Sequence, residues 1–239
     1  MTRARRATAH TLTLALLATA LAACGTESRG VCGVVIDSTS YAEPATSRAD
    51  VSGKLPAFAA RCDWVAFAAV TGASESSPCR QDAVAIAATK QENPNANPVV
   101  EDRVRSHRVT QILPKAMQLF DCPTEGQGSD VLGALRYAAK QMTAQRRPGQ
   151  AHRVIVFSDL VNNRGELDVN RLDLAEAARK RKIDELKAAH LLPELSGYEV
   201  EVHGFLRAAK GSDPDRFPML EAFWREAFEA AGAAGADLL

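Results

Sequence analysis

Arg153-Val154-Ile155-Val156-Phe157-Ser158-Asp159 (RVIVFSD) is an unbroken apolar, β-branched run that closes on a serine and an aspartate. A stretch this short, with no polar alternation and with polar residues at its end, reads as a strand buried on both faces of a parallel sheet. Towards the amino terminus, Val31 to Ile36 (VCGVVI) has the same character and also ends on an aspartate, Asp37. Asp63 to Val70 (DWVAFAAV) reads as a further strand, closed by Thr71-Gly72 and a serine-rich turn through Pro78. Towards the carboxyl terminus, Tyr198 to Leu206 (YEVEVHGFL) is another. Asp82 to Ala88 (DAVAIAA) fits either a strand or one helical turn.

Helical patterns lie between these runs. One follows the polar loop Ser38 to Ser47 and runs to about Ala60; a second spans Val99 to about Phe120, where Pro114 is expected to end or kink it. Asn93 to Pro98 is a loop, and Cys122 to Gly128 is a glycine-rich one. Ser129 is expected to cap a helix whose apolar face is Leu132, Leu135, Ala139 and Met142. After a turn at Arg146 to Gln150, the charge-laced Leu172 to Leu192 and the closing Pro218 to Ala231 complete the set. Strands separated by helices of this length imply an α/β fold, a doubly wound, mostly parallel sheet flanked by helices. Such sheets bind ligands at the carboxyl ends of their strands. Asp37 and Asp159 both fall there, and they share one crevice if the first and fourth strands are neighbours.

The first residues read differently. Arg3, Arg5 and Arg6 precede an uncharged run from Thr11 to Ala23, too short to span a bilayer and typical of a secretory signal. The run ends in Leu21-Ala22-Ala23-Cys24, which resembles the lipobox of bacterial lipoproteins. That resemblance implies cleavage before Cys24, a diacylated Cys24, and a chain anchored at the extracytoplasmic face of a membrane. The expected organisation is a leader over 1–23, a lipidated tether over 24–30 and one domain over 31–234. Lys and Arg number 29 against 29 Asp and Glu, with both signs interspersed, which argues against a nucleic-acid partner. Beyond the leader no stretch is apolar enough to span a membrane.

Removing Cys24 from the count leaves Cys32, Cys62, Cys79 and Cys122. An even number in an oxidising compartment favours two disulfides over zinc, since no CxxC occurs and the five histidines are scattered; three pairings remain open.

Over nearly the whole mature length the order of elements resembles the von Willebrand factor A domain, whose metal-ion-dependent adhesion site draws on three loops. The first loop here is Asp37-Ser38-Thr39-Ser40-Tyr41, close to the family's D-x-S-x-S with a tyrosine in the last place. The second, Gly128-Ser129-Asp130-Val131-Leu132-Gly133-Ala134-Leu135, is similar to G-T-x-x-x-x-A-L with Ser129 at the threonine position. The third puts Asp159 at the family's aspartate. The resemblance implies a metal site of Asp37, Thr39, Ser129 and Asp159 for Mg²⁺ or Mn²⁺, with a vacant position for a partner's acidic oxygen. Singly, each residue also has an ordinary role, as a loop cap or a turn residue. The same fold makes the strands that start near Cys32 and Cys62 neighbours, implying a Cys32–Cys62 bridge and hence Cys79–Cys122.

The expected function is therefore a non-enzymatic, membrane-tethered module that binds a protein or peptide, with no small-molecule cofactor. One alternative is an envelope scaffold whose metal site has degenerated. A more distant one is a haloacid-dehalogenase-like phosphohydrolase, because Asp37 ends a first strand; that chemistry wants D-x-D, and Thr39 stands at the second aspartate's place. Arg179-Lys180-Arg181-Lys182 reads as a solvated helix face, and Phe223, Trp224 and Phe228 as residues packing on the sheet.

Overall fold

The computed structural model describes residues 29–39, 41, 45–122, 128–207 and 214–239. The leader, Cys24 and most of the tether lie outside the described residues. The elements run β1 (Gly30–Asp37), α1 (Ala45–Ala60), β2 (Cys62–Val70), β3 (Val84–Ala85), α2 (Pro98–Val109), α3 (Ile112–Phe120), α4 (Val131–Thr143), β4 (His152–Phe157), β5 (Asn163–Arg164), β6 (Leu167–Asp168), α5 (Glu176–Ala188), β7 (Tyr198–His203), α6 (Phe217–Ala230) and β8 (Gly235–Leu238). Six strands form one sheet in the order β3-β2-β1-β4-β7-β8, parallel except for the two-residue edge strand β3. β5 and β6 make a separate small hairpin.

Successive side chains of a strand point to opposite faces, so each central strand feeds two cores. Val31 and Val35 of β1, Ala66 and Ala68 of β2, and Val154 and Val156 of β4 meet α4 and α6 on one face. Cys32, Val34 and Ile36, Val65 and Phe67, and Ile155 and Phe157 meet α1 and α3 on the other. The result is a three-layer α/β sandwich. Phe223, Trp224 and Phe228 of α6 are buried in the first core, as the sequence implies. In the basic run of α5, Arg179 pairs with Glu226, Lys180 with Glu176 and Lys182 with Glu185.

Several boundaries depart from the sequence reading. The long helix expected over Val99 to Phe120 is two helices, broken at Thr110–Gln111 rather than at Pro114. Pro114 sits in the first turn of α3, where no backbone donor is needed. The very polar α2 is docked instead through Arg105, its buried residue, which ion-pairs with Asp63 at 2.7 Å. Asp82 to Ala88 contains a strand, β3, paired antiparallel with Trp64 and Val65. β7 stops at His203 because Gly204 turns to a φ of +89°. β8 adds a strand that the sequence reading lacks. Among the described residues no helix is long and apolar enough to cross a membrane.

Both disulfides join the expected partners: Cys32 to Cys62 across the starts of β1 and β2, and Cys79 to Cys122 between the loop after β2 and the end of α3. Cys79–Cys122 closes 43 residues, a loop for which chain entropy gives about 4 kcal/mol of stabilisation. Urea unfolding of the Cys79→Ala/Cys122→Ala protein should show a loss of that order; a loss below about 1 kcal/mol would mean the bridge does not restrain the unfolded chain.

Candidate metal centre

Asp37 is the last residue of β1 and is fully buried. Its Oδ1 accepts from the Thr39 backbone N–H at 2.9 Å and from the Thr39 hydroxyl at 2.5 Å, so the chain folds back over the carboxylate as it leaves the strand. Its Oδ2 accepts from the Ser158 hydroxyl at 2.6 Å. Ser158 follows β4, the neighbour of β1, and this bond ties the two strand ends together. Asp159 is next and only 2% exposed. Its Oδ1 accepts from the Val161 N–H at 2.9 Å, whereas its Oδ2 is buried and has no hydrogen-bond partner.

The third contribution comes from the loop ahead of α4. Ser129 is buried, and its hydroxyl lies 2.7 Å from that of Thr39. The cap of α4 is not Ser129, as the sequence suggests, but Asp130. The Oδ1 of Asp130 accepts from the Gly133 N–H at 2.9 Å, and its Oδ2 accepts from the Ser74 N–H at 3.1 Å. A carboxylate is the better partner for the positive end of a helix dipole, and Asp130 leaves the Ser129 hydroxyl free to face Thr39. Asp37, Thr39, Ser129 and Asp159 thus converge at the carboxyl ends of β1 and β4 and the start of α4.

Water is scarce here, and the carboxyl groups respond. Burial pushes Asp37 above the usual carboxylate range, against the hydrogen bonds from Ser158 and Thr39 that favour its charge. Burial, reinforced by the charge of Asp37, pushes Asp159 up to about 7.

Tyr41 stands where the first loop would offer another hydroxyl, and it is absent from this cluster. Its ring is buried in the core on the α1 side, and its hydroxyl donates to the His203 carbonyl at 3.2 Å. Gly204 makes that possible, since a Cβ there would lie 2.4 Å from the tyrosine ring. Burial pushes the phenol up to about 12, so it stays protonated. Ser40 lies outside the described residues.

This donor set fits a hard divalent cation. Two carboxylates and two hydroxyls are the oxygen ligands Mg²⁺ and Mn²⁺ take, and the unpartnered Asp159 Oδ2 is a vacant acceptor. A doubly positive ion would also offset the burial and the Asp37 charge that together raise Asp159. Among the described residues no cluster of three His, Cys, Asp or Glu side chains competes for it. Sequence reasoning missed Ser158, Asn162, Asn163 and Asp130, which hold the donors in place; the Asp159-x-x-Asn162-Asn163 spacing directly after a strand was the available signal.

No family model matches the chain, and no curated protein matches it. Among solved structures, the crystal structure of the human COPII-coat protein Sec24c aligns over 86% of this chain at 11% identity, with a TM-score of 0.38. The chain spans about a third of that protein's length, 32%.

The raised Asp159 carboxyl makes stability depend on pH. Between its unfolded value near 4 and its folded value of about 7, the folded state holds more protons, so stability falls as pH rises through that window and levels off above it. Without divalent ions, unfolding free energy should drop by a few kcal/mol, roughly, from pH 4.5 to pH 8, and Asp159→Asn should flatten that slope. An unchanged slope in the variant would assign the dependence elsewhere.

Proposed function

We propose that this chain is a membrane-tethered, extracytoplasmic binding module of the von Willebrand factor A type. In this reading Asp37, Thr39, Ser129 and Asp159 hold a Mg²⁺ or Mn²⁺ ion, and the partner is a protein or peptide that presents an acidic side chain. The carrying observation is the buried, unpartnered Asp159 Oδ2, whose carboxyl feels the charge of the buried Asp37 carboxylate that in turn holds the Thr39–Ser129 hydroxyl pair. Bound there, the ion would supply an open coordination position for an acidic oxygen. Asp37 would balance charge and hold Thr39, while Asp159 and the two hydroxyls would face the ion. Mg²⁺ keeps several waters, so these few protein groups would suffice to hold it, and a partner's acidic oxygen would replace a water.

Tyr41 favours a second reading, an envelope scaffold in which the site has lapsed. A hydroxyl that the first loop would direct to the metal is committed to the core.

Calorimetric titration of Mg²⁺ and Mn²⁺ into the soluble fragment from Gly25, beside Asp37→Ala, separates the two. Saturable binding lost in the variant supports the metal-dependent module; heats indistinguishable from dilution in both proteins support the scaffold. The tether has its own test. Cys24→Ser should abolish incorporation of labelled fatty acid into the protein, and incorporation unchanged in the variant would rule out lipidation at Cys24.

A further inference from the structure

We infer that Asn162 and Asn163 are positioning residues: they clamp the backbone of Ser129 and the first turn of α4 to the loop that carries Asp159, and so fix the separation of the donors these two loops contribute. For its effect on metal binding the inference rests on the reading above.

Asn163 closes a reciprocal pair with Ser129. The Ser129 N–H donates to Asn163 Oδ1 at 2.7 Å, and the Asn163 N–H donates to the Ser129 carbonyl at 3.0 Å. Ser129 is buried, so its N–H would lose its partner, with little water to replace it, if the amide were removed. Asn162 is itself fully buried and uses its whole side-chain amide. Its Oδ1 accepts from the Leu132 N–H of α4 at 3.0 Å, and its Nδ2 donates to the carbonyls of Arg164 at 2.8 Å and Leu167 at 2.6 Å. Only one orientation of the amide places oxygen against a donor and nitrogen against two acceptors, so the network fixes it.

The neighbouring backbone accommodates the clamp. Gly128 has a φ of +108°, and a Cβ on it would lie 2.5 Å from Asn163 Oδ1 and 2.6 Å from Arg164 Nε. Only glycine lets the loop close on Asn163 at that distance. Neither asparagine amide bonds to Asp37, Thr39 or the carboxyl of Asp159; both act through Ser129 and α4. Three and four residues after Asp159, the same loop thus supplies one donor and grips the segment that supplies another. Mg²⁺ demands near-ideal octahedral geometry at about 2.1 Å, so a few tenths of an ångström between these loops decides affinity.

The test uses the soluble fragment from Gly25, which holds every described residue, as wild type, Asn163→Ala, Ser129→Ala and the double variant. Amide hydrogen exchange at Ser129 should quicken in Asn163→Ala while the amides of Val35 and Ile155 keep wild-type protection. Mn²⁺ affinity by calorimetry should fall by about 10- to 100-fold in Asn163→Ala, the usual cost of losing a group that orients a metal ligand. In the Ser129→Ala background the same change should cost little more, because its effect runs through Ser129. Unaltered Ser129 exchange, or losses of affinity that simply add, would overturn the clamp. If the wild type binds neither ion, the metal reading falls and exchange alone decides: quickened exchange at Ser129 upholds the clamp, and unchanged exchange sinks it.

Discussion

Two carboxylates, Asp37 and Asp159, are buried at the ends of neighbouring parallel strands, and the loops around them are organised by that fact. Each is less than 3% exposed, and the charge of Asp37 adds to the burial that raises Asp159. A charge moved out of water must be neutralised, hydrogen-bonded or compensated by an opposite charge. Asp37 takes the second course, with an amide and a hydroxyl donating to one oxygen and a hydroxyl to the other. Asp159 has only the Val161 amide and is held close to neutral instead. The asymmetry leaves one oxygen with nothing to accept, and that oxygen defines the site.

What keeps the crevice in shape is a set of ties between loops that are distant in sequence. The Asp130 N–H donates to the Thr71 carbonyl at 2.8 Å, and the Ser74 hydroxyl donates to the Asp130 carbonyl at 2.6 Å, so the turn after β2 is fastened to the start of α4. From the other side Asn162 and Asn163 fasten the loop after β4 to the same place. The amino end of α4 is therefore the hub on which three strand-end loops converge. Its buried apolar face, from Val131 to Met142, holds it against β1 and β2.

The central strands were legible because their chemistry is local. RVIVFSD and VCGVVI are apolar on both faces, and that is what a strand covered by helices on either side requires. The aspartates that end them were legible for the same reason, as was their meeting once β1 and β4 proved to be neighbours. What escaped depended on partners far along the chain. Ser129 and Asp130 are both good caps, and nothing local chooses between them; Ser74, more than fifty residues earlier, favours Asp130. Tyr41 turns into the core because Gly204, across the sheet, has no side chain to block it. The helix expected from Leu172 to Leu192 is trimmed to Glu176–Ala188, with His190 in a left-handed conformation just past its end. β8 escaped because Gly235–Leu238 has too few apolar residues to announce a strand; pairing with β7 makes it one.

β1 enters the sheet at Gly30, beside the Cys32–Cys62 bridge, and leaves it at Asp37. Seven steps of extended chain separate the two, about 23 Å at 3.3 Å per residue. Gly30 therefore lies at one end of β1 and the buried Asp37 carboxylate at the other. Any restraint applied to the upstream segment acts where the Cys32–Cys62 bridge joins the starts of β1 and β2, on a strand that is buried along its whole length. The carboxylate pair lies at the opposite end of that strand, a full strand length from the point of attachment.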